Sequence, residues 1–312
     1  MTRTPSDEVA LDIRDLRIDL ATPEGPRPIV NGLDLGVGRG SIHGLAGESG
    51  SGKTITALAV LGLLPASMRV SGSIVLGAAT AGGEPIELVG SSAAVLGGVR
   101  GRRVAMVFQD PSTSLHPQLA VGRQLTDHVR HHLGLREAEA RARATALLTR
   151  VHVPDAETAL GKYPHQFSGG QRQRIAIAVA LACGPDVLLA DEPTTALDVT
   201  VQAGVLQLFR ELVDDMGLSV LLVTHDLGVM SSVADEVTVM RAGAVVESGP
   251  RSQLFTAPRH EYTKSLLAAL PGSTFEEDPA ELAAELVAGH EAPAVPTVLP
   301  DGDDAPQERD DV

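Results

Sequence analysis

The sequence is poor in aromatic residues and almost without cysteine: its 312 residues include no Trp, two Tyr, five Phe and one Cys. A single cysteine, Cys183, excludes an internal disulfide framework and any metal site built from cysteines alone. Small secreted domains that depend on disulfides are therefore excluded as a class. Because Cys183 lies within an apolar run, we expect its side chain to belong to the core.

Long apolar segments are also missing. No apolar run approaches the roughly 20 residues that a membrane-spanning helix needs. The first 15 residues contain charges and a proline in place of an apolar signal segment. We therefore expect a protein of the cytoplasm, and its hydrophobic content of 43% is ordinary for a globular chain.

The sequence also has no excess of positive charge. The net charge is −15, of which residues 273–312 contribute −11 through twelve Asp or Glu and one Arg. The rest of the chain, at −4, has no electrostatic footprint for nucleic acid, so we expect no nucleic-acid partner. The acidic segment also contains five prolines, a composition typical of disordered tails.

Glycine, in contrast, is abundant with 32 residues, and one glycine-rich stretch fits a phosphate loop without a mismatch. Backbone N–H groups of such a loop point at phosphate oxygens, its lysine reaches the β- and γ-phosphates, and its hydroxyl can hold Mg²⁺. The run before it predicts a buried strand and the run after it, 55–64, a helix, which argues against a chance turn. The residues expected to bind ATP are Gly47, Glu48, Ser49, Gly50, Ser51, Gly52, Lys53 and Thr54.

Polar residues end two apolar strands further along. Asp191 and Glu192 follow one continuous apolar run, and His225 follows another. Such runs are typical of strands buried on both faces of a parallel sheet, and ligands bind at the carboxyl ends of those strands. A carboxylate placed like Asp191 can hold Mg²⁺, and Glu192 can polarise the water that attacks a γ-phosphate. Gln109, at a strand–loop junction, can contact the metal or that water.

The remaining pattern alternates strands and helices, which predicts an α/β core. Prolines and glycines predict a loop at 23–28, and the short apolar pieces between residues 70 and 107 favour strands over helices. Other strands are predicted at 11–20, 29–37 and 237–250, and helices at 121–151, 175–183, 199–216 and 259–270.

The order of these motifs resembles the ATP-binding-cassette (ABC) ATPase family over residues 10–270. The motifs are the phosphate loop, Gln109, the Ser-Gly-Gly-Gln stretch 168–171, Asp191-Glu192, Asp198 and His225. Longer stretches resemble the peptide/nickel importer branch: QDPSTSL at 109–115, YPHQFSGG at 163–170, DEPTTALD at 191–198 and RHEYTKSLL at 259–267. The run ALAVLGLLP at 57–65 is similar to the first of that branch's two ATPase subunits.

For the fold, the resemblance implies an α/β P-loop NTPase: an ABC nucleotide-binding domain with a mainly parallel core sheet, an antiparallel β subdomain and a helical subdomain. We expect this domain over residues 9–250, with the helical subdomain at about 112–166. A C-terminal extension of the peptide-importer type is expected at 251–272, followed by the acidic, disordered tail at 273–312.

For the chemistry, the resemblance implies binding of ATP and Mg²⁺ and hydrolysis of the ATP. Glu192, His225 and Gln109 are the implied catalytic residues, with His225 holding the γ-phosphate. Thr54, Gln109 and Asp191 are the implied residues around Mg²⁺. Gln109 would in addition sense the membrane subunit.

For the assembly, the resemblance implies two ATPase subunits packed head to tail around two ATP molecules. The contact from one subunit to the other's nucleotide would come from Ser168, Gly169, Gly170 and Gln171, and Asp198 would communicate across the dimer. We expect a heterodimer, peripheral on the cytoplasmic face of the cell membrane, bound to two integral membrane permease subunits. An extracytoplasmic substrate-binding protein would act through the permease.

The chain departs from the family pattern in three places. Family members often stack adenine on an aromatic residue after the first strand, and Leu20 is expected to take its place with an apolar contact. Ser112 and His116 occupy positions where the branch often has Met and Asn. Because no cysteine follows Cys183, we expect no iron–sulfur cluster of the kind that some relatives bind.

Two alternatives stand beside the importer hypothesis. The first is the ATPase of an ABC system for another solute or for export. The second is a soluble nucleic-acid-associated ABC protein, which usually carries two cassettes in one chain or long coiled-coil insertions, and this sequence shows neither. A pure binding module that never hydrolyses ATP would lack Glu192 or His225, and both are present.

Overall fold

A computed structural model describes residues 8–78, 84–195 and 197–270 of the chain. The predicted tail at 273–312 and Ala196 of the 191–198 motif lie outside the described residues, as do the side chains of Ser112 and Thr113.

In the described residues the strands form two sheets. The antiparallel sheet contains β1 (Val9–Thr22), β2 (Gly25–Gly38), β4 (Met68–Leu76) and β5 (Ile86–Glu87), in the order β2-β1-β4-β5. The second sheet contains β3 (Ile42–Gly47), β6 (Val104–Val107), β7 (Val187–Asp191), β8 (Ser219–Thr224), β9 (Glu236–Arg241) and β10 (Ala244–Pro250), in the order β10-β9-β3-β8-β7-β6.

The second sheet is parallel except for its edge strand β10. Every residue of β3, β7 and β8 is buried, as the mostly apolar run of β3 and the continuous apolar runs of β7 and β8 predict. Successive residues of these strands enter two different hydrophobic cores: Leu188 and Ala190 one, Val187 and Leu189 the other. The sheet is therefore covered on both faces, and the carboxyl ends of β3, β7 and β8 lie side by side at one edge.

The helices are, in chain order, α1 (Lys53–Val60), α2 (Ala93–Val99), α3 (Pro111–Ser114), α4 (Val121–Leu133), α5 (Glu137–Arg150), α6 (Ala156–Ala159), α7 (Gly169–Leu181), α8 (Val199–Met216), α9 (Leu227–Val233), α10 (Arg251–Thr256) and α11 (Glu261–Ala268), with a 3-10 helix at Pro164–Gln166. One core packs α4, α5, α7, α8 and α9 against the parallel sheet, and the other joins α1 and the antiparallel sheet to its opposite face. Within the described residues, none of these helices has the length and apolar character needed to cross a membrane.

One local prediction was wrong, and another missed one helix. The loop predicted at 23–28 shrinks to a tight turn, because β2 begins at Gly25 and pairs Pro26 with Ala21 and Pro28 with Asp19. Prolines are tolerated there because β2 is the edge strand, where a missing N–H interrupts no ladder on the outer side. The strands favoured between residues 70 and 107 are present as β4, β5 and β6, but helix α2 at 93–99 lies between them and was not predicted. The Ser92 hydroxyl caps the first turn of α2.

Candidate functional site

The phosphate loop connects the carboxyl end of β3 to the start of α1. Gly47 has φ 147°, and a Cβ there would lie 2.2 Å from the carbonyl oxygen of Met240 in the neighbouring strand β9. Only glycine fits this place. The Gly243 N–H donates to the Ser51 carbonyl at 3.1 Å, so the turn between β9 and β10 is hydrogen-bonded to the phosphate loop.

Lys53 lies inside the curl of the loop, with 5% of its surface exposed. Its Nζ donates to the carbonyl oxygens of Gly47 at 2.7 Å and Glu48 at 2.9 Å. Burial lowers the pKa of Lys53, and the nearby carboxylates of Glu192 and Asp191 oppose that shift. A buried cation in a glycine-rich loop at the start of a helix is a site for an anion such as phosphate.

Asp191, the last residue of β7, faces the first turn of α1. The Thr54 hydroxyl donates to Asp191 Oδ1 at 3.1 Å. Asp191 is buried, and burial raises its pKa despite this hydrogen bond. No group of three or more His, Cys, Asp or Glu that could hold a metal occurs in the part of the chain described here.

Glu192 is held in an unusual backbone conformation, with φ 45°. Positive φ is strained for a residue with a side chain, and such strain is concentrated at functional sites. The Glu192 N–H donates to the Val223 carbonyl of β8 at 2.8 Å, which fixes this conformation. As a result, the side chains of Asp191 and Glu192 contact different partners although the two residues are adjacent in the chain.

Three side chains converge on the Glu192 carboxylate and form with it what we name the Glu192 cluster. Gln109 Nε2 donates to Oε2 at 2.9 Å, the Thr195 hydroxyl donates to Oε2 at 3.0 Å, and His225 Nδ1 lies 2.9 Å from Oε1. Burial opposes the charge on Glu192, but the hydrogen bonds from His225 and Thr195 outweigh it and lower the pKa. Glu192 is therefore a carboxylate at neutral pH, able to accept a proton.

The residues predicted to contact a second subunit lie at the starts of α7 and α8. Ser168 caps α7: its hydroxyl accepts the Gln171 N–H at 3.3 Å, and Gln171 Oε1 accepts the Ser168 N–H at 3.0 Å. Asp198 caps α8 by accepting the Val201 N–H at 3.0 Å. The two helix starts touch, because a Cβ on Gly170 would lie 2.4 Å from Val201 Cγ1. Ser168 is exposed, so this helix N-terminus faces solvent.

Sequence reasoning missed two contacts of the site. Thr195 stands in the 191–198 motif, where it had no role, yet it donates to the catalytic candidate Glu192. Tyr262 stands in the 259–267 motif, and its hydroxyl oxygen accepts the N–H of Glu48 in the phosphate loop at 3.2 Å. Tyrosine is rare in this chain, which has only two, and this rarity was the one sequence signal that could have pointed to Tyr262.

Comparisons with known proteins show the family of the chain. The family described as "ABC transporter" matches residues 30–195. An oligopeptide transport ATP-binding protein of Haemophilus influenzae is 43% identical over 84% of this chain and 79% of its own length. A putative peptide import ATP-binding protein of Brucella abortus is 45% identical over 84% of this chain and 77% of its own. A glutathione import ATP-binding protein of Escherichia coli is 44% identical over 85% of this chain, which spans only 43% of that relative.

Solved structures share the fold. One is cbiO1 from Clostridium perfringens, part of the ABC transporter complex cbiONQ, with TM-score 0.67 and 26% identity over 85% of this chain and 96% of its own. Another is the ATP-binding cassette MJ0796 in a dimeric, post-hydrolysis state bound to ADP and Pi, with TM-score 0.66 and 25% identity over 77% of this chain and 98% of its own. They confirm the predicted fold class. The names of the relatives confirm the predicted resemblance to the importer branch. The chain thus belongs to the ABC transporter family, as one of its ATP-hydrolysing subunits.

Proposed function

We propose that this protein is the ATPase subunit that powers import of peptides, or of a related small solute, through an ABC transporter. The Glu192 cluster carries the proposal, because it holds an ionised carboxylate at the edge of the sheet where the phosphate loop also begins. The direction and the solute come from relatives of 43–45% identity, which are named for import of oligopeptides, peptides or glutathione.

The phosphate loop, residues 47–54, is the proposed ATP site, with the Lys53 ammonium on the β- and γ-phosphates. The neighbouring pair suits Mg²⁺, because the Thr54 hydroxyl and the Asp191 carboxylate supply the oxygen ligands it prefers, 3.1 Å apart. A cation there would also stabilise the charge that burial disfavours on Asp191. When bound, Mg²⁺ neutralises charge on the β- and γ-phosphates, and Gln109 is the proposed third residue of its surroundings.

Glu192 is the proposed general base, which accepts the proton of the attacking water. Gln109 and Thr195 orient its carboxylate through Oε2, and His225 does so through Oε1. Because Nδ1 of His225 faces the carboxylate, the Nε2 atom is the one left to contact the γ-phosphate. On this basis Glu192, His225 and Gln109 are the proposed catalytic residues.

We further propose that two ATPase subunits, a heterodimer, complete each other's sites. Ser168, Gly169, Gly170 and Gln171 form a partly exposed helix N-terminus whose amides can bind the γ-phosphate of the other subunit's ATP. Asp198 lies at the adjoining start of α8 and would report on that contact. The dimeric state of the similar cassette MJ0796, bound to ADP and Pi, supports the proposal.

The membrane partners are proposed to be two integral permease subunits, which place this protein on the cytoplasmic face of the membrane. A surface cavity of about 300 Å³ offers a docking site for a permease helix, because it is lined by apolar residues of β6, α7 and the end of α1. Leu63 and Phe108 at this cavity are 46% and 39% exposed. Phe108 precedes Gln109 of the Glu192 cluster, so a helix seated there would contact a residue next to the cluster. An extracytoplasmic substrate-binding protein acts through the permease, and nucleic acid is not an expected partner.

The domain division is part of the same proposal. Residues 9–250 form the nucleotide-binding domain, with the helical subdomain at 112–166 carrying α4 and α5. The extension at 251–272 begins with α10 and α11.

Replacement of Leu20 by Phe is expected to tighten ATP binding about 2- to 10-fold, because an aromatic ring stacks on adenine where leucine offers only an apolar edge. Leu20 lies in β1, opposite Arg27 of β2 and Met68 of β4, and its side chain is partly exposed. Titration with ATP by calorimetry measures the effect, and Leu20→Ile is the matched control. Equal affinities of Leu20→Phe and the parent would remove Leu20 from the adenine site.

The proposed function is tested by tagged purification of the Glu192→Gln variant from native membranes with ATP and Mg²⁺, followed by identification of all bound chains. We expect two polytopic membrane proteins and a second cassette ATPase, and the identities of the membrane proteins would narrow the solute. Vesicles reconstituted with the parent complex should then accumulate peptide in an ATP-dependent manner.

Each other outcome selects an alternative. Export from the vesicles, or transport of a different solute, would keep the transporter and replace the peptide-import assignment. A soluble homodimer, or co-purification with ribosomes or DNA, would leave the ATPase standing and overturn the transport role.

A further inference from the structure

The phosphate loop has a contact that comes from the far end of the chain. The peptide group joining Gly47 and Glu48 is held from both sides: its C=O accepts from Lys53 Nζ at 2.7 Å, and its N–H donates to the Tyr262 hydroxyl oxygen at 3.2 Å. These two partners fix the orientation of the first peptide of the loop. Lys53 belongs to the loop itself, whereas Tyr262 belongs to α11 in the C-terminal segment.

The start of α11 is anchored to the body of the protein. The Glu247 carboxylate of β10 accepts the N–H groups of Arg259 at 2.8 Å and His260 at 3.1 Å. His260 then caps the helix, because its Nδ1 accepts the Tyr262 N–H at 3.1 Å. Burial opposes the charge on Glu247, but its hydrogen bonds lower the pKa, so the anchor is anionic at neutral pH.

The Tyr262 side chain is itself held in place. It is 5% exposed, and the Arg241 guanidinium lies over its ring, 4.7 Å from the centroid. Arg241 is the last residue of β9 and follows Met240, whose carbonyl oxygen packs against Gly47 of the phosphate loop. Burial raises the pKa of the Tyr262 phenol, so its hydroxyl is neutral across the physiological range. The Tyr262 hydroxyl is thus a rigid, neutral hydrogen-bond acceptor for the N–H of Glu48.

We infer that Tyr262 is a positioning residue for nucleotide binding, which holds the Gly47–Glu48 peptide in place and so couples ATP affinity to the C-terminal segment. The inference rests on the proposed assignment of the phosphate loop to ATP. When the Lys53 ammonium turns towards phosphate, it weakens its own hydrogen bond to Gly47, and Tyr262 remains as the contact that keeps this peptide oriented. A loop ordered before binding loses less conformational entropy when the ligand arrives.

The test compares ATP affinity of full-length variants, each built on Glu192→Gln to prevent turnover. Tyr262→Phe keeps the ring and its contact with Arg241 and removes only the hydroxyl, so we expect the Kd for ATP with Mg²⁺ to rise about 3- to 10-fold. The melting temperature should stay within about 2 °C of the parent, since a surface-loop hydrogen bond is lost and no packing. Tyr163→Phe, at the other tyrosine of the chain, is the matched control and should leave the Kd unchanged.

Two further variants separate the possible failures. Lys53→Ala tests the loop assignment, and unchanged ATP binding by this variant would overturn that assignment together with the inference. Loss of binding in Lys53→Ala with a parent-like Kd in Tyr262→Phe would overturn the inference alone. Glu247→Gln leaves the phenol in place and weakens the anchor of α11, so it should raise the Kd in the same direction by a smaller factor. A fall in melting temperature without any change in Kd would show a merely structural role.

Discussion

Replacement of Glu192 by Gln is expected to leave ATP binding near the parent level and to slow ATP hydrolysis about 100- to 1,000-fold. The amide is nearly isosteric with the carboxylate, so the strained φ of 45° and the backbone hydrogen bond to Val223 remain possible. The amide cannot accept a proton from water, and removal of a general base typically costs this much. Binding survives because Lys53, Thr54 and the loop amides are untouched.

Phosphate release by the complex with its partner subunits measures hydrolysis, and calorimetric titration of the purified variant measures ATP affinity. Glu137→Gln is the matched control, because Glu137 is an exposed carboxylate paired with Arg130 at 2.9 Å on the helical side of the molecule. It should hydrolyse ATP like the parent. Turnover of Glu192→Gln within a few-fold of the parent would show that another group activates the water, and His225→Ala would then be the next variant to measure.

The Glu192 cluster also shows which parts of a site a sequence can predict. Asp191, Glu192 and His225 follow continuous apolar strands, and parallel strands bring their carboxyl ends to one edge, so the convergence of these residues was predictable. Helix α8 occupies the predicted residues 199–216, because Asp198 caps its start and Gly217 ends it in a left-handed conformation. Local pattern and a known sheet geometry suffice for this much.

Contacts between distant segments were beyond such reasoning. Glu48 and Tyr262 are 214 residues apart, and nothing in either local pattern specifies the pairing. The positive φ of Glu192 is likewise set by its hydrogen bond to Val223 of the neighbouring strand, against the preference of a glutamate. Helix α2 was missed because Gly97 and Gly98 lower its helix propensity, while Ser92 and the surrounding structure still support it.

Replacement of Gly47 by Ala is expected to abolish measurable ATP binding and to destabilise the fold by about 2–4 kcal/mol. The residue ends β3 with φ 147°, a conformation that alanine resists. The added methyl would lie 2.2 Å from the Met240 carbonyl oxygen and 3.0 Å from Ser51 Oγ, so strand β9 and the loop must move apart. That movement displaces the peptide that Lys53 and Tyr262 orient, and the amides no longer point at one phosphate position.

Gly98→Ala in α2 is the matched control, because a Cβ at that glycine would meet no heavy atom within 4 Å. It should bind ATP normally and gain up to about 1 kcal/mol of stability, since alanine is the better helix former. Urea unfolding followed by circular dichroism gives both free energies, which suits a chain without Trp, and calorimetry gives ATP affinity. Normal ATP binding by Gly47→Ala would mean that the loop tolerates a shifted first peptide. In that case the rigid orientation argued for Tyr262 would lose its physical basis, and the two experiments therefore bear on each other.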